Sequence, residues 1–539
     1  MPVTAEPIYH TSGFIRLTRP QLVGTLAGLM LALLLAALDQ TIVGTAEPRI
    51  IAYLSGFDRY PWVATAYLLT STVCVPIFAK LSDIYGRKWF FLGGSALFVL
   101  ASALCGAAGK MNFLGIDGMN QLILFRGLQG AGAGVMIGLV FTIIGDVFSP
   151  AERGRYVGFF SGVWALASIF GPTLGGWLTD YFTWRAVFYV NLPVGVIAIT
   201  AIYLEFPYFH PQGVKRKLDW AGVITLICGL VPLLLALTWV TDYGWGSVRV
   251  ESLIAFAVMM LSAFLYAETK AQEPLIPLSM FRNSVISICS VAVFVLGMGM
   301  FGVIIFLPLF MQGVLGVSAT QSGNLLTPLM LGAVVSSFIS GQVTHRFGRY
   351  KALVVVGSTL VATGMILFAR MGAATHRTEV VIAMVIVGTG MGLLNPVYTL
   401  AVQNAAPREH MGAATASTQF FRSIGSTMGV AVFGSILLTI YHHDFANGVP
   451  AGTPPKALLL FSNPMMLPQM RDQLLAAFSY PGGLLALRSL LANVRSSLVH
   501  GLQVIFLVGA VIMVAAVLLN AMLPEIPLRG RAGHSEPTV

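Results

Sequence analysis

Asp39 and Arg126 are the residues of this chain best placed to do chemistry. Asp39 stands in Leu38-Asp39-Gln40-Thr41-Ile42-Val43, followed by Pro48, inside an apolar run that begins near Gln21. Some eighteen residues of helix carry it about 27 Å along that run at 1.5 Å per residue. An acid in hydrocarbon costs at least ~2.5 kcal/mol on insertion scales, so a functional carboxylate is its default reading. An acid at a wet helix end, or one that only holds an arginine, is the plainer alternative. Arg126 enters five residues below the start of another run, about 8 Å deep. A guanidinium cannot shed its proton there and needs an anionic or carbonyl partner. Asp39 is at a suitable depth, and backbone carbonyls are the other choice. Gln129, one turn further on, can order the same polar patch or meet a bound molecule.

Other residues stand out by position. Glu47 precedes Pro48 near the end of the first run, where its carboxylate can attract cations or pair in water with Arg49 or Arg59. Arg422 is a second cation inside an apolar run, without an acidic neighbour in sequence. Gly171-Pro172 should kink the fifth run, because proline removes a helical hydrogen bond, while Gly175-Gly176 admits a close neighbour. Close packing alone is the competing reading. Ala79-Lys80-Leu81-Ser82-Asp83-Ile84-Tyr85-Gly86-Arg87-Lys88 makes a tight basic turn between two apolar runs. Asp83, Arg87 and Asp146, near the end of the fourth run, can form a charge network that holds one state and breaks in another. Weaker signals are set aside. His442-His443-Asp444 lacks further ligand spacing, and Gly109-Lys110-Met111 lacks the Ser or Thr of a phosphate loop.

The elements that must position these residues follow from composition. Hydrophobic residues make up 56% of the 539 and charged residues 10%. A soluble domain carries roughly 25% charged residues, so lipid is the expected solvent. Fourteen runs long enough to cross about 30 Å of hydrocarbon begin near Gln21, Pro61, Trp89, Gln121, Gly154, Ala186, Leu218, Glu251, Ser284, Gln321, Lys351, Glu379, Gly412 and Gly501. Helix is the workable form, since such apolar strands would leave backbone groups unpaired in lipid. The first run lacks a small-residue cleavage site and reads as a retained helix. The net charge of +10 is scattered over short loops, which excludes a nucleic-acid face. Cys74, Cys105, Cys228 and Cys289 fall inside apolar runs and read as core residues without disulfide or metal role.

Loop charge gives an orientation. With the amino terminus inside, cytoplasmic segments hold 18 of the 31 basic residues, and the short outer loops hold seven. Both termini are therefore expected in the cytoplasm. The basic turn recurs 262 residues on, at Gly341-Gln342-Val343-Thr344-His345-Arg346-Phe347-Gly348-Arg349-Tyr350-Lys351. Pro150-Ala151-Glu152-Arg153-Gly154 likewise has a partner in Pro407 to Gly412. Crossings one to six thus match nine to fourteen, with two helices inserted. The plan is a cytoplasmic segment 1–20, a six-helix bundle 21–206, two inserted helices with linkers 207–283, a second bundle 284–523 holding an outer loop 442–500, and a cytoplasmic tail 524–539. Such duplication around a midplane site is how many secondary transporters are built.

Four motifs together resemble the fourteen-helix drug:proton antiporter family of the major facilitator superfamily. They are the basic turn Ala79 to Lys88, the first-run pattern Leu38 to Val43 with Pro48, Arg126-Gly127-Leu128-Gln129-Gly130-Ala131-Gly132, and Gly171-Pro172-Thr173-Leu174-Gly175-Gly176 with Trp184-Arg185 and Asn191-Leu192-Pro193. The likeness covers about residues 20–440. It implies an all-α membrane protein of the major facilitator fold, multi-pass in a bacterial cell membrane and not an enzyme. It implies multidrug efflux of small amphipathic or cationic compounds, with Asp39 taking up and releasing a proton and Arg126 linked to that coupling. Glu47, Gln129 and Arg422 are the candidate substrate contacts. Asp83, Gly86, Arg87, Asp146, Gly171 and Pro172 are the candidate conformational gates. No cofactor is expected beyond the proton gradient, and the partners are substrate, protons and the lipid bilayer, with the monomer as the working unit. Export of a lipid, a siderophore or an endogenous antibiotic is the nearest alternative, and a membrane-embedded enzyme or receptor the remote one. Several residues depart from the pattern: Ala79 and Ala167 replace glycines, Gly44 an asparagine, Glu47 a small apolar residue, and His345 an acid in the second turn.

Overall fold

The computed structural model describes residues 17–526 except 112–114, 149, 209–218, 272–273, 277, 407–410, 451–452, 454–457, 459–460, 462, 468–469 and 480–482. At 83, 150–155, 157–158, 241–242, 345 and 411–413 the side chains also lie outside the described residues. The Lys215-Arg216-Lys217 linker, the side chain of Asp83 and most of the Pro150/Pro407 pair of motifs therefore fall outside the description.

Fourteen helices are long and apolar enough to cross a membrane, and no strand occurs among the described residues. They are α1 (Arg19–Leu54), α2 (Tyr60–Tyr85), α3 (Arg87–Ala107), α4 (Gly118–Val147), α5 (Pro150–Tyr181), α6 (Ala186–Glu205), α7 (Trp220–Tyr243), α8 (Val248–Lys270), α9 (Ser284–Val314), α10 (Ala319–Phe347), α11 (Lys351–Ala369), α12 (Arg377–Ala405), α13 (Met411–Asn447) and α14 (Gly483–Ala521). Intrahelical bonds satisfy the backbone where lipid offers none. Side chains supply caps where the chain enters a crossing. Asp117 accepts from the Asn120 amide before α4, Asn283 from Val285 before α9, and Ser318 from Gln321 before α10.

Two helix boundaries differ from expectation. α14 begins at Gly483, eighteen residues before the apolar run at Gly501, and α13 continues through His442 and His443 to Asn447. The loop expected over 442–500 thus shrinks to 448–482. The early part of α14 is amphipathic: Leu487, Leu490, Val494 and Leu498 are buried at helical spacing, while Arg488, Arg495 and His500 depress the hydropathy that marks a run.

The duplication appears as repeated packing. In one half α2 and α3 pack on α4, and α1 on α5 and α6; in the other α10 and α11 pack on α12, and α9 on α13 and α14. The inserted α7 lays Leu226, Leu230 and Leu234 in one cluster with Leu69 and Val73 of α2 and Ala431 of α13, and α8 packs on α7. Counting crossings puts the Gly86 and Gly348 turns at one end of the molecule, the basic end, and segment 448–482 at the other, the loop end.

The halves meet along α2–α13 and α5–α10. At the loop end this seam is tight. A Cβ on Gly176 of α5 would lie 2.3 Å from the Ala319 carbonyl oxygen of α10, and one on Gly323 would lie 2.1 Å from that of Pro172. Thr173 and Thr327 hydroxyls are 3.2 Å apart across it, and Asp180 accepts the Thr320 amide. On the other flank Pro61 touches Gly434, Tyr60 donates to the Ile305 carbonyl at 2.6 Å, and His442 meets Asp58 at 2.9 Å. Among the described residues of segment 448–482, Asn463 donates to the Ile51 carbonyl at this end at 2.8 Å.

Candidate functional site

α1, α4 and the start of α6 bring one polar cluster together inside the first half. Asp39 is fully buried, and Arg126 and Gln129 nearly or fully so. Arg126 Nη1 lies 2.5 Å from Asp39 Oδ2 and also donates to Gln129 Oε1 at 2.7 Å, while its Nε donates to the Val63 carbonyl at 3.2 Å. The guanidinium stacks 4.2 Å from the Tyr67 ring centre. Asp39 Oδ1 accepts from Gln129 Nε2 at 2.8 Å and Asn191 Nδ2 at 3.2 Å. Ser102 of α3 accepts from both of those amides, at 2.6 and 3.2 Å.

The spacing explains the convergence. Arg126 and Gln129 are one turn apart on α4 and face the same way. The glycines that follow them (Gly130, Gly132, Gly134) let α4 approach α2 and α3, where a Cβ would collide with the Tyr67, Phe98 and Ser71 backbones. Asn191 opens the long part of α6. A buried ion pair endures only with such extra bonds, and removing one partner typically costs ~3–5 kcal/mol. Chemically, Asp39 is an anion held by one guanidinium and two amides from two helices. A proton on it would release Arg126 and alter the bonds joining α1, α4 and α6 at once.

Of the candidate substrate contacts, Gln129 belongs to this cluster: its amide is engaged by Asp39, Ser102 and Arg126, which leaves it no free face for a ligand. Arg422 on α13 is half-buried, and donates to Gln419 Oε1 at 2.6 Å and Asn395 Oδ1 at 3.2 Å, two neutral acceptors. Glu47 is 0% exposed, and neither carboxylate oxygen has a hydrogen-bond partner among the described residues. This corrects its expected pairing in water. Arg59 instead binds Asp117 at 2.9 Å, and Arg49 lies towards Asp180.

The gating candidates separate into two places. At the basic end Gly86 has φ +98°, a left-handed backbone that suits glycine and turns α2 into α3. Arg87 then reaches back to Asp146 Oδ2 at 2.6 Å and to the Ser82 hydroxyl at 2.9 Å. This pair is intact while the halves are sealed at the loop end. The second turn holds something else: Gly348 again has positive φ, and Tyr350 binds the Pro524 carbonyl, the Ile526 amide and Glu525. It anchors the segment after α14. Pro172 sits in the seam, its carbonyl against Gly323 of α10, whereas Gly171 faces Thr41 of α1 inside the first half. A Cβ on Gly171 would collide with the Thr41 hydroxyl, and α5 stays helical through Pro172.

Sequence reasoning missed the roles of Ser102 and Asn191. Asn191 had a signal, an amide opening an apolar run; Ser102 had none.

The family model described as Major Facilitator Superfamily matches residues 29–430. The chain belongs to the major facilitator superfamily. It is 36% identical over 534 residues to the Multidrug transporter protein MdtP of Bacillus subtilis (strain 168), covering 95% of this chain and 94% of that protein. It is 38% identical over 418 residues to Multidrug resistance protein 3 of the same organism, covering 77% and 79%. Among solved structures, a bacterial homolog of the human lysosomal transporter Spinster, inward-facing and occupied, superposes with TM-score 0.61 at 16% identity over 93% of this chain and 97% of that one. A D-xylose-proton symporter gives 0.54 at 15%, over 92% and 96%. These two likenesses show the fold. The protein is a multi-pass plasma-membrane transporter and not an enzyme.

Proposed function

We propose that this transporter is a proton-coupled antiporter that exports small amphipathic or cationic compounds, with Asp39 as the proton carrier. The observation that carries the reading is the buried Asp39–Arg126 pair with its two amide donors. A membrane protein retains a buried acid at such cost where an ion pathway needs it. Similarity to two multidrug proteins supports efflux as the direction and broad substrates as the cargo.

In this reading the basic end faces the cytoplasm, as the excess of basic residues there favours. Substrate enters from that side while the loop end is sealed, and the halves then rock to open the loop end. A proton taken up by Asp39 from outside loosens Arg126, and its release inside restores the pair. The pH difference and membrane potential supply the energy, since one charge moved through 100 mV is worth ~2.3 kcal/mol. Half-buried Arg422, bonded among the described residues to neutral acceptors, is a candidate contact for polar substrate groups. The pair at Arg87 and Asp146 governs interchange of states.

The test uses ethidium, an amphipathic cation, and the protein in sealed vesicles. An imposed pH gradient should drive ethidium transport by wild type, and Asp39→Asn should abolish that drive. Wild-type-level driven transport by Asp39→Asn would remove Asp39 from the mechanism.

A further inference from the structure

Glu47 is not used by the proton cycle just described, and its surroundings are unusual. It lies one turn beyond Gly44 on α1, on the face that meets α9, where a Cβ on Gly44 would sit 3.7 Å from the Ile304 carbonyl. Around it the seam between the halves is crossed twice: Tyr60 of α2 donates to the Ile305 carbonyl, and Gln312 of α9 donates to the Thr45 carbonyl at 2.9 Å. Gln312 Oε1 is itself buried without a partner among the described residues. Ile50, Ile51, Ile305 and Phe306, all at most 3% exposed, complete a dry setting.

The charged and titratable groups facing Glu47 are few. Arg126 of α4 is within electrostatic reach, but its guanidinium is bound to Asp39. Tyr60 of α2 has its hydroxyl on Ile305. α9 carries no Asp, Glu, Lys, Arg or His at all. On α5, Asp180 is bonded to the Thr320 amide, with Arg49 beside it. An ionised carboxylate enclosed without donor or counter-ion is costly enough that such a group neutralises instead. Opening the seam at the loop end would wet Glu47 and remove that constraint.

We propose that Glu47 is a second proton-binding carboxylate, placed so that the loop end seals only after its carboxyl has taken up a proton. It rests on the proton-coupled reading above and extends it: a proton from the loop side is needed for closure, separately from the one on Asp39. One proton is bound and one released per cycle at this site, and no other covalent bond changes. The notion of a fixed surface anion drawing in cations gives way to a carboxylate exposed in one state only.

Spin labels at Lys110→Cys and Ala374→Cys, both exposed loop-end positions in opposite halves, report closure as a distance, with the four native cysteines replaced by serine. In wild type, raising pH should move the population from the short to the long distance, by up to about tenfold per pH unit, the limit for one linked proton. Glu47→Gln should stay short across the range, and Glu47→Asp should restore the response. Asp39→Asn should keep a pH response at the loop end, since Glu47 remains. A wild-type response in Glu47→Gln overturns the proposal, and so does a pH-independent distance in wild type. Neither result touches Asp39, whose role is read from gradient-driven ethidium flux, so the two readings fail separately.

Discussion

At the residue scale, charge inside an apolar run was the strongest message the sequence carried. Asp39 and Arg126 are the clearest case, because each is costly without the other, and the fold brings them to 2.5 Å. Their supporting amides test how far the cluster acts as a unit. Asn191→Leu removes one of three donors to Asp39, and a lost bond at a buried polar group costs about 1–3 kcal/mol. Thermal unfolding in detergent should therefore occur several degrees lower, and Ser102→Ala should act in the same direction more mildly. Unchanged unfolding in Asn191→Leu would show that the amide contributes nothing to the cluster. Glu47→Leu has the opposite sign. Replacing an unpartnered buried carboxyl by an apolar group of similar size should raise the unfolding temperature while impairing turnover. A marked drop would mean that Glu47 has a partner in the folded protein. Ser102 was illegible as a site residue, and the signal at Asn191 did not disclose its partner, because a hydroxyl or amide in an apolar helix has many ordinary bonding options, most of them to its own backbone.

At the scale of elements, hydropathy located all fourteen crossings, since lipid demands length and apolarity of each. It failed where a helix leaves lipid: the polar face of early α14 lowered the mean although Leu487, Leu490 and Val494 pack inward. The glycine motif of α5 was legible as a close-contact surface, but its neighbours were not, because nothing local to Gly176 points to Ala319. Those neighbours give a prediction. A side chain at Gly176 would collide with backbone, which cannot swing aside as a side chain can, so Gly176→Leu should hold the α5–α10 seam open. The Lys110/Ala374 distance should lengthen at every pH, while each half keeps its fold. A distance equal to wild type would show that α5 and α10 are not the elements that close this end. At the basic end, Arg87→Ala leaves Asp146 and Ser82 without their guanidinium. Transport by that variant should slow by tenfold or more with substrate affinity little changed. A large loss of affinity with normal turnover would place the turn in the substrate site instead.

At the scale of the whole molecule, the repeat of the basic turn disclosed two related halves, and the packing of α1–α6 repeats in α9–α14. The copies have diverged in use. The first turn clamps α3 to α4 through Arg87 and Asp146, whereas the second docks the segment after α14 through Tyr350. The acid cluster lies in the first half, while Arg422, on α13 of the second, is bonded to neutral partners. On the proposed reading, a proton site in one half and a seam between the two make a machine in which protonation and opening can be linked. The most direct test is ethidium flux in sealed vesicles under an imposed pH gradient, acid inside, with and without a protonophore. Wild-type protein should accumulate ethidium only while the gradient stands, and Asp39→Asn should not accumulate it at all. Accumulation that survives collapse of the gradient, or that persists undiminished in Asp39→Asn, would contradict proton-coupled export through Asp39.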